Sequence, residues 1–178
     1  MRTYIDDLTK SFPAELSSNI NCSWTTRLFN SNDDSKSLNQ EEKETFHTYV
    51  MKCMFLAKRG RPDILTGVSV LSTRILTANE KDWNKLKRLL SYLKSTISII
   101  LQLEANDAQE LKWYIDASFG THNNLKSHTG SIFTLGKGAI CNDSSKQKVN
   151  ARRSIEAELI SIDDKITKVM WMKRFIES

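Results

Sequence analysis

Two carboxylates stand where chemistry could be done. Asp116 sits inside the extended run Trp113-Tyr114-Ile115-Asp116-Ala117-Ser118-Phe119, and Glu158 in the helical start Ser154-Ile155-Glu156-Ala157-Glu158-Leu159. Side chains alternate across a strand, so Trp113, Ile115, Ala117 and Phe119 share one face and Asp116 takes the other. An acid in a buried strand is costly unless paired, hydrogen-bonded or metal-bound. A solvated Asp beside a turn is the ordinary alternative, and spacing alone leaves both open. On the helix, Ile155, Leu159, Ile162, Ile166, Val169, Met172 and Ile176 form an apolar stripe, expected to be the buried face. Glu158 falls roughly 60° from its centre and Glu156 roughly 100° to the other side. Glu158 is therefore the expected ligand, while Glu156, Asp163 and Asp164 face water. Mg²⁺ takes one or two carboxylates plus waters and substrate phosphate. A two-metal phosphodiester hydrolase needs more acids than Asp116 and Glu158 supply.

The elements that must position them follow from periodicity. Residues 1–39 are a poorly patterned connector: a short amphipathic piece from Ile5 to Phe12 ends at Pro13, and a polar stretch runs from Ser17 to Asn39. From Gln40, Phe46, Tyr49, Val50, Cys53, Met54 and Ala57 recur at helical steps until Gly60-Arg61-Pro62 breaks them. Pro62 and Asp63 suit the first turn of a second helix, buried through Ile64, Val68, Leu71 and Ile75. Asn79 or Thr77 caps a third helix with the stripe Trp83, Leu86, Leu89, Leu90 and Leu93. Its other faces carry Lys81, Lys85, Lys87, Arg88 and Lys94, a charge run that suits phosphate as well as water.

After Thr96 the pattern becomes extended. Ile97, Ile99 and Leu101 alternate, and Glu104 to Glu110 reads as a polar turn. Strands are predicted over Leu111–Phe119, Thr129–Leu135 and Ala139–Ser144, with a tight hairpin at Gly136-Lys137-Gly138. A long helix then begins near Ala151. The divisions are 1–39, 40–108 and 109–178, and the fold class is α+β.

Composition sets bounds. Hydrophobic residues at 39% and charged residues at 26% are ordinary for a globular chain, and a net charge of +5 permits a polyanionic partner. Cys22, Cys53 and Cys141 are odd in number and far apart, so neither a disulfide framework nor a zinc cluster is expected. No apolar run reaches membrane length and the N-terminus lacks a signal core, so we expect a soluble, intracellular chain with no membrane partner.

Residues 40–178 resemble copia-type retrotransposon polyproteins, from the region after the reverse transcriptase palm into the ribonuclease H domain. The matching strings are Phe55-Leu56-Ala57-Lys58-Arg59-Gly60-Arg61-Pro62-Asp63-Ile64, the run from Trp83 to Thr96, Tyr114-Ile115-Asp116-Ala117-Ser118-Phe119, Lys126-Ser127-His128-Thr129-Gly130, Ser144-Ser145-Lys146-Gln147-Lys148 and Glu156-Ala157-Glu158-Leu159. The resemblance implies a helical thumb or connection-like region, then a partial ribonuclease H-like fold of three antiparallel strands and a long helix. It makes Asp116 and Glu158 catalytic carboxylates and Mg²⁺ ligands, with an RNA–DNA hybrid as substrate. Arg153-Ser154-Ile155 departs from the family's Ser-Ser-Thr before Glu-Ala-Glu. No counterpart of the two later aspartates follows, so the resemblance implies a chain inactive alone.

The alternative is a non-catalytic nucleic-acid-binding or interaction module, using Lys85, Lys87, Arg88, Lys94, Lys146, Lys148, Arg152 and Arg153 on phosphates. The expected partners also include the remainder of the polyprotein, or a second copy joined through an exposed strand edge. Tyr4-Ile5-Asp6-Asp7 matches the Tyr-x-Asp-Asp turn of reverse transcriptases, but no apolar strands flank it, and we read it as coincidence.

Overall fold

The computed structural model describes residues 1–25, 28–30, 35–105 and 111–177. Most of the expected polar turn before Lys112, and parts of the stretch between Ser17 and Asn39, lie outside those residues. The chain is mixed helix and sheet and divides into two compact units, Met1–Ile100 and Leu101–Ser178.

The first unit is helical: α1 (Arg2–Lys10), α2 (Gln40–Arg59), α3 (Leu65–Ser72) and α4 (Glu80–Ser95). Both long helices start on a capping box. Asn39 Oδ1 accepts from Glu42 N–H while Glu42 accepts from Asn39 N–H, and Asn79 and Asp82 do the same for α4. The apolar stripes of α2 and α4 bury completely at Phe46, Val50, Cys53, Leu56, Leu86, Leu89, Leu90 and Leu93. The N-terminal residues belong to this core. Ile5, Leu8, Phe12 and Leu16 are buried in it, and the Phe12 ring stacks on Trp83 and meets Tyr49 edge-on. Tyr4-Ile5-Asp6-Asp7 is thus part of a helix, with Ile5 buried, not a turn between strands.

The break after α2 is held by a buried charge. Pro62–Ile64 is a single 3₁₀ turn before α3, so the second helix starts later than Pro62, and Ile75 lies in a separate 3₁₀ turn. Arg61 is 1% exposed. Its guanidinium donates to Asp63 through Nε at 2.9 Å and Nη2 at 2.8 Å, and to the Thr96 carbonyl through Nη1 at 2.9 Å. Tyr92 Oη also donates to Asp63, at 2.8 Å. Burial alone would raise the Asp63 pKa, but these donors outweigh it and hold the carboxyl below its ordinary range. Thr96 therefore ends α4 as the acceptor for Arg61. Its own N–H bonds the Tyr92 carbonyl, and the strand expected from Ile97 to Leu101 does not form.

The second unit contains β1 (Glu104–Ala105), β2 (Lys112–Ser118), β3 (His128–Thr134), β4 (Gly136–Lys137), β5 (Cys141–Lys146) and α5 (Ser154–Glu177). The main sheet is antiparallel in the order β2-β3-β5, with Asp116 opposite Gly130 and Gly130 opposite Ser144. The expected tight hairpin is instead a six-residue connection, 135–140. Its β4 portion leaves the sheet to pair with β1, where Glu104 and Lys137 form an ion pair at 2.7 Å. Gly138, at φ +76°, passes so close to the Gln102 carbonyl that a Cβ would stand 2.1 Å from its oxygen. Only glycine fits there.

The α5 phase also differs from expectation. Its buried residues are Ala157 and Ser161, while Ile155, Leu159, Ile162 and Ile166 are exposed. Small side chains let the helix lie close on the sheet, and proximity rather than bulk decided the face. The apolar-stripe reasoning that set Glu158 apart from Glu156 is therefore corrected: both sit about 100° from Ala157, on opposite sides.

Removing one partner of a buried ion pair strands the other charge. Arg61→Met is expected to destabilise the helical unit by about 3–5 kcal/mol in urea denaturation. Adding Asp63→Leu should recover part of the loss; an equal or larger loss in the double variant would show the pair is not coupled.

Candidate functional site on the open sheet face

Alternation along β2 divides the sheet. Trp113, Ile115 and Ala117 are half-buried, whereas Tyr114, Asp116 and Ser118 are exposed. The first row lies under α5. Gln147 Nε2 donates both to Thr129 Oγ1 at 3.0 Å and to the Ala157 carbonyl at 2.9 Å, and Thr129 is the register partner of Ala117. Lys168 Nζ reaches Asp143 at 2.7 Å from the same helix. The second row is the open face, with Tyr114 and Ile132 side by side, then Asp116, Gly130 and Ser144. A Cβ on Gly130 would meet nothing within 4 Å, so the strip between Asp116 and Ser144 is bare backbone.

Asp116 thus stands exposed on the side of the sheet that α5 does not cover. Glu158 is half-buried in the first turns of α5. Among the described residues no hydrogen bond or ion pair joins the two. Glu156 is otherwise engaged: its carboxylate accepts the Arg152 backbone N–H at 2.6 Å, as an acid at a helix start does. The Glu158 side chain has no such partner among the described residues. No group of three or more His, Cys, Asp or Glu that could hold a metal occurs among them.

The basic residues fall in two sets, one in each unit. Lys85 donates to the Asn30 carbonyl at 2.8 Å and approaches Asp82 at 3.5 Å, and burial lowers its pKa. Lys87 and Arg88 are half-buried, and Lys94 is exposed. In the second unit Lys146 ends β5 on the open-face row, opposite His128, and its pKa is lowered by burial and by Lys126. Lys148, Arg152 and Arg153 are exposed on the segment leading into α5. Of the eight, these three and Lys94 are the most open to a phosphate.

One polar chain on this face was not legible in the sequence. His122 Nε2 lies 3.0 Å from His128 Nδ1, and His128 Nε2 lies 2.6 Å from Ser144 Oγ. Both rings are buried. Burial, reinforced at His122 by Lys146 and at His128 by His122 and Lys165, pushes each pKa down to about 4. The rings are neutral at pH 7 and tie the 119–127 connection to the sheet. His122 precedes β3 with no periodic signal, so only the register of β3 against β5 reveals the chain.

No family model matches the chain, and no solved structure matches it significantly. Curated relatives do. The chain is 34% identical over 136 residues to the retrovirus-related Pol polyprotein from transposon TNT 1-94 of Nicotiana tabacum, covering 76% of this chain and 10% of that protein. It is 31% identical over 120 residues to the secreted RxLR effector protein 161 of Plasmopara viticola, covering 67% of this chain and 84% of the effector. A Ty5-1 transposon protein of Saccharomyces cerevisiae is 32% identical over 126 residues, or 70% of this chain and 41% of the yeast protein. The chain belongs to the retrotransposon Pol polyprotein family. It spans about a tenth of the tobacco polyprotein it matches. No described helix is long and apolar enough to cross a membrane.

Two expectations follow from this geometry. Asp116 is exposed with no hydrogen-bond or ion-pair partner among the described residues, so Asp116→Asn should change stability by no more than about 0.5 kcal/mol in thermal unfolding; a larger loss would make Asp116 a structural residue. The histidines titrate near 4 in the fold against 6.5 ordinarily, so the unfolded chain takes up protons first. Their contribution is complete above pH 6.5 and declines as pH falls toward 4. The urea midpoint of the second unit should drop across that window, and His122→Gln with His128→Gln should flatten the drop.

Proposed function

We propose that this chain is the part of a copia-type Pol polyprotein in which a helical thumb or connection-like region leads into a ribonuclease H-like domain. The parent activity would be cleavage of the RNA strand of an RNA–DNA hybrid. The observation that carries the reading is a single arrangement: an antiparallel β2-β3-β5 sheet, an acid at the centre of β2, and a long following helix packed on one face with Glu158 in its first turns. The tobacco and yeast relatives carry the transposon half of the reading. The ribonuclease H half rests on that arrangement and on the motifs around Asp116 and Glu158.

Asp116 and Glu158 are oxygen donors of the kind Mg²⁺ prefers. They do not make a two-metal centre by themselves: Asp116 stands on the face that α5 leaves open and Glu158 on α5, and no group of three or more such acids occurs among the described residues. What this chain's own residues offer a hybrid is an open face with Tyr114 and Ile132 beside bare backbone at Gly130, and cations at Lys146, Lys148, Arg152 and Arg153. Phosphate contacts from these cations would favour binding without cleavage.

The test is an RNA–DNA hybrid with the purified chain in Mg²⁺ and in Mn²⁺. We expect binding that weakens steeply with salt, more shallowly after Lys148→Ala with Arg152→Ala, and no cleavage. Metal-dependent cleavage that vanishes in Asp116→Asn would restore a complete nuclease; binding indifferent to salt would remove the nucleic-acid reading.

A further inference from the structure

Helix α5 has two unlike faces. Toward the sheet it presents Ala157 and Ser161, both fully buried. Away from it, Ile155, Leu159, Ile162, Ile166, Val169 and Ile176 recur at alternating steps of four and three, with Lys173 completing the series. That spacing is the heptad seam of a coiled coil, in which one polar residue at a core position selects register. Ile155 is 74% and Leu159 62% exposed, and Ile162, Ile166 and Ile176 are exposed as well. At 1.5 Å per residue the 24-residue helix is about 36 Å long. A contiguous apolar strip of that length, about 360 Å² at a width of 10 Å, falls within the size range of the largest patches on soluble monomers, which are often functional. A strip about 36 Å by 10 Å on each of two copies supplies about 720 Å² in flat projection, and exposed side chains flanking the seam, Met170 among them, must supply the rest of the ~1,000 Å² that a specific interface needs.

Charge along the helix selects the occupant. The first half carries Glu156, Glu158, Asp163 and Asp164, and the second half Lys165, Lys168, Lys173 and Arg174. Asp143 already engages Lys168 and lies 4.0 Å from Lys165, and Lys173 lies only 3.7 Å from Glu177. A parallel copy would set acid beside acid. An antiparallel copy sets acid beside base and opposes the two helix dipoles.

We propose that the outer face of α5 is an isologous interface for a second copy of this chain, with the helices antiparallel about a two-fold axis at Ile166. Ile166 then meets Ile166, Ile162 falls beside Val169 and Met170 of the second copy, and Ile155 falls beside Ile176 and Glu177. Lys173 lies over Leu159 of the second copy with its ammonium toward Glu158, which a long side chain does by burying its stem. The interface uses side chains and leaves the β2 edge untouched.

Sedimentation of the full chain should give a dimer, and Ile166→Asp, at a position the fold leaves exposed, should give a monomer with unchanged circular dichroism. In a Cys22→Ser background, Ile155→Cys mixed with Ile176→Cys should form a disulfide-linked pair under mild oxidation. A monomer at high micromolar concentration overturns the proposal. So does a dimer that survives Ile166→Asp, or cross-linking of Ile155→Cys to itself in preference to Ile176→Cys.

Discussion

The side-chain alternation of one seven-residue strand organises the second unit. Because β2 puts Trp113, Ile115 and Ala117 on one side and Tyr114, Asp116 and Ser118 on the other, α5 can cover only the first row. Ala157 and Ser161 let it lie close, and Gln147 stitches helix, loop and β3 together with two hydrogen bonds. The sheet's part of the proposed nucleic-acid surface sits on the second row. A one-residue shift in register would exchange the rows completely and move the Asp116 carboxylate under the helix.

The helical unit depends on a different constraint. Its chain reverses between α2 and α3 around a guanidinium with almost no exposed surface, and the hydrogen bonds Arg61 makes to Asp63 and Thr96 fix where α4 stops. Desolvating that charge is costly, and Asp63, Tyr92 and Thr96 offset the cost only because all of them point at it. The nearby apolar contacts of Ile64, Val68 and Leu71 supply the attraction; the ion pair supplies the geometry.

Much of this was readable in the sequence where a local rule acts alone. The helix start at Gln40, the cap at Asn79 as one of two candidates with Thr77, the break at Gly60-Arg61-Pro62 and the approximate limits of β2, β3 and β5 follow from helical periodicity, capping, proline chemistry and two-residue periodicity. The failures share a cause, which is that a tertiary partner outweighed the local signal. Ile97 to Leu101 alternates as a strand would, yet Arg61 claims Thr96 and turns the chain. Gly136-Lys137-Gly138 looks like a hairpin turn, yet β1 draws Gly136 and Lys137 away to a second ladder. The isoleucines of α5 looked like a core face, yet the sheet took the alanine and serine beside them. At the site, the order of Asp116 and Glu158 along the chain was legible, whereas the His122–His128–Ser144 chain was not, because no sequence period links a connecting segment to two strands.

On the function proposed above, the open row of the sheet and the basic segment into α5 form the surface that meets an RNA–DNA hybrid. Backbone amide shifts of the isotope-labelled chain, followed by NMR during titration with a short hybrid, test it most directly. The largest changes are expected at Tyr114, Asp116, Gly130, Ser144 and Lys146 and through 148–153, with Ala157 and Ser161 little affected. Changes confined to the helical unit, or none at saturating hybrid, would contradict it.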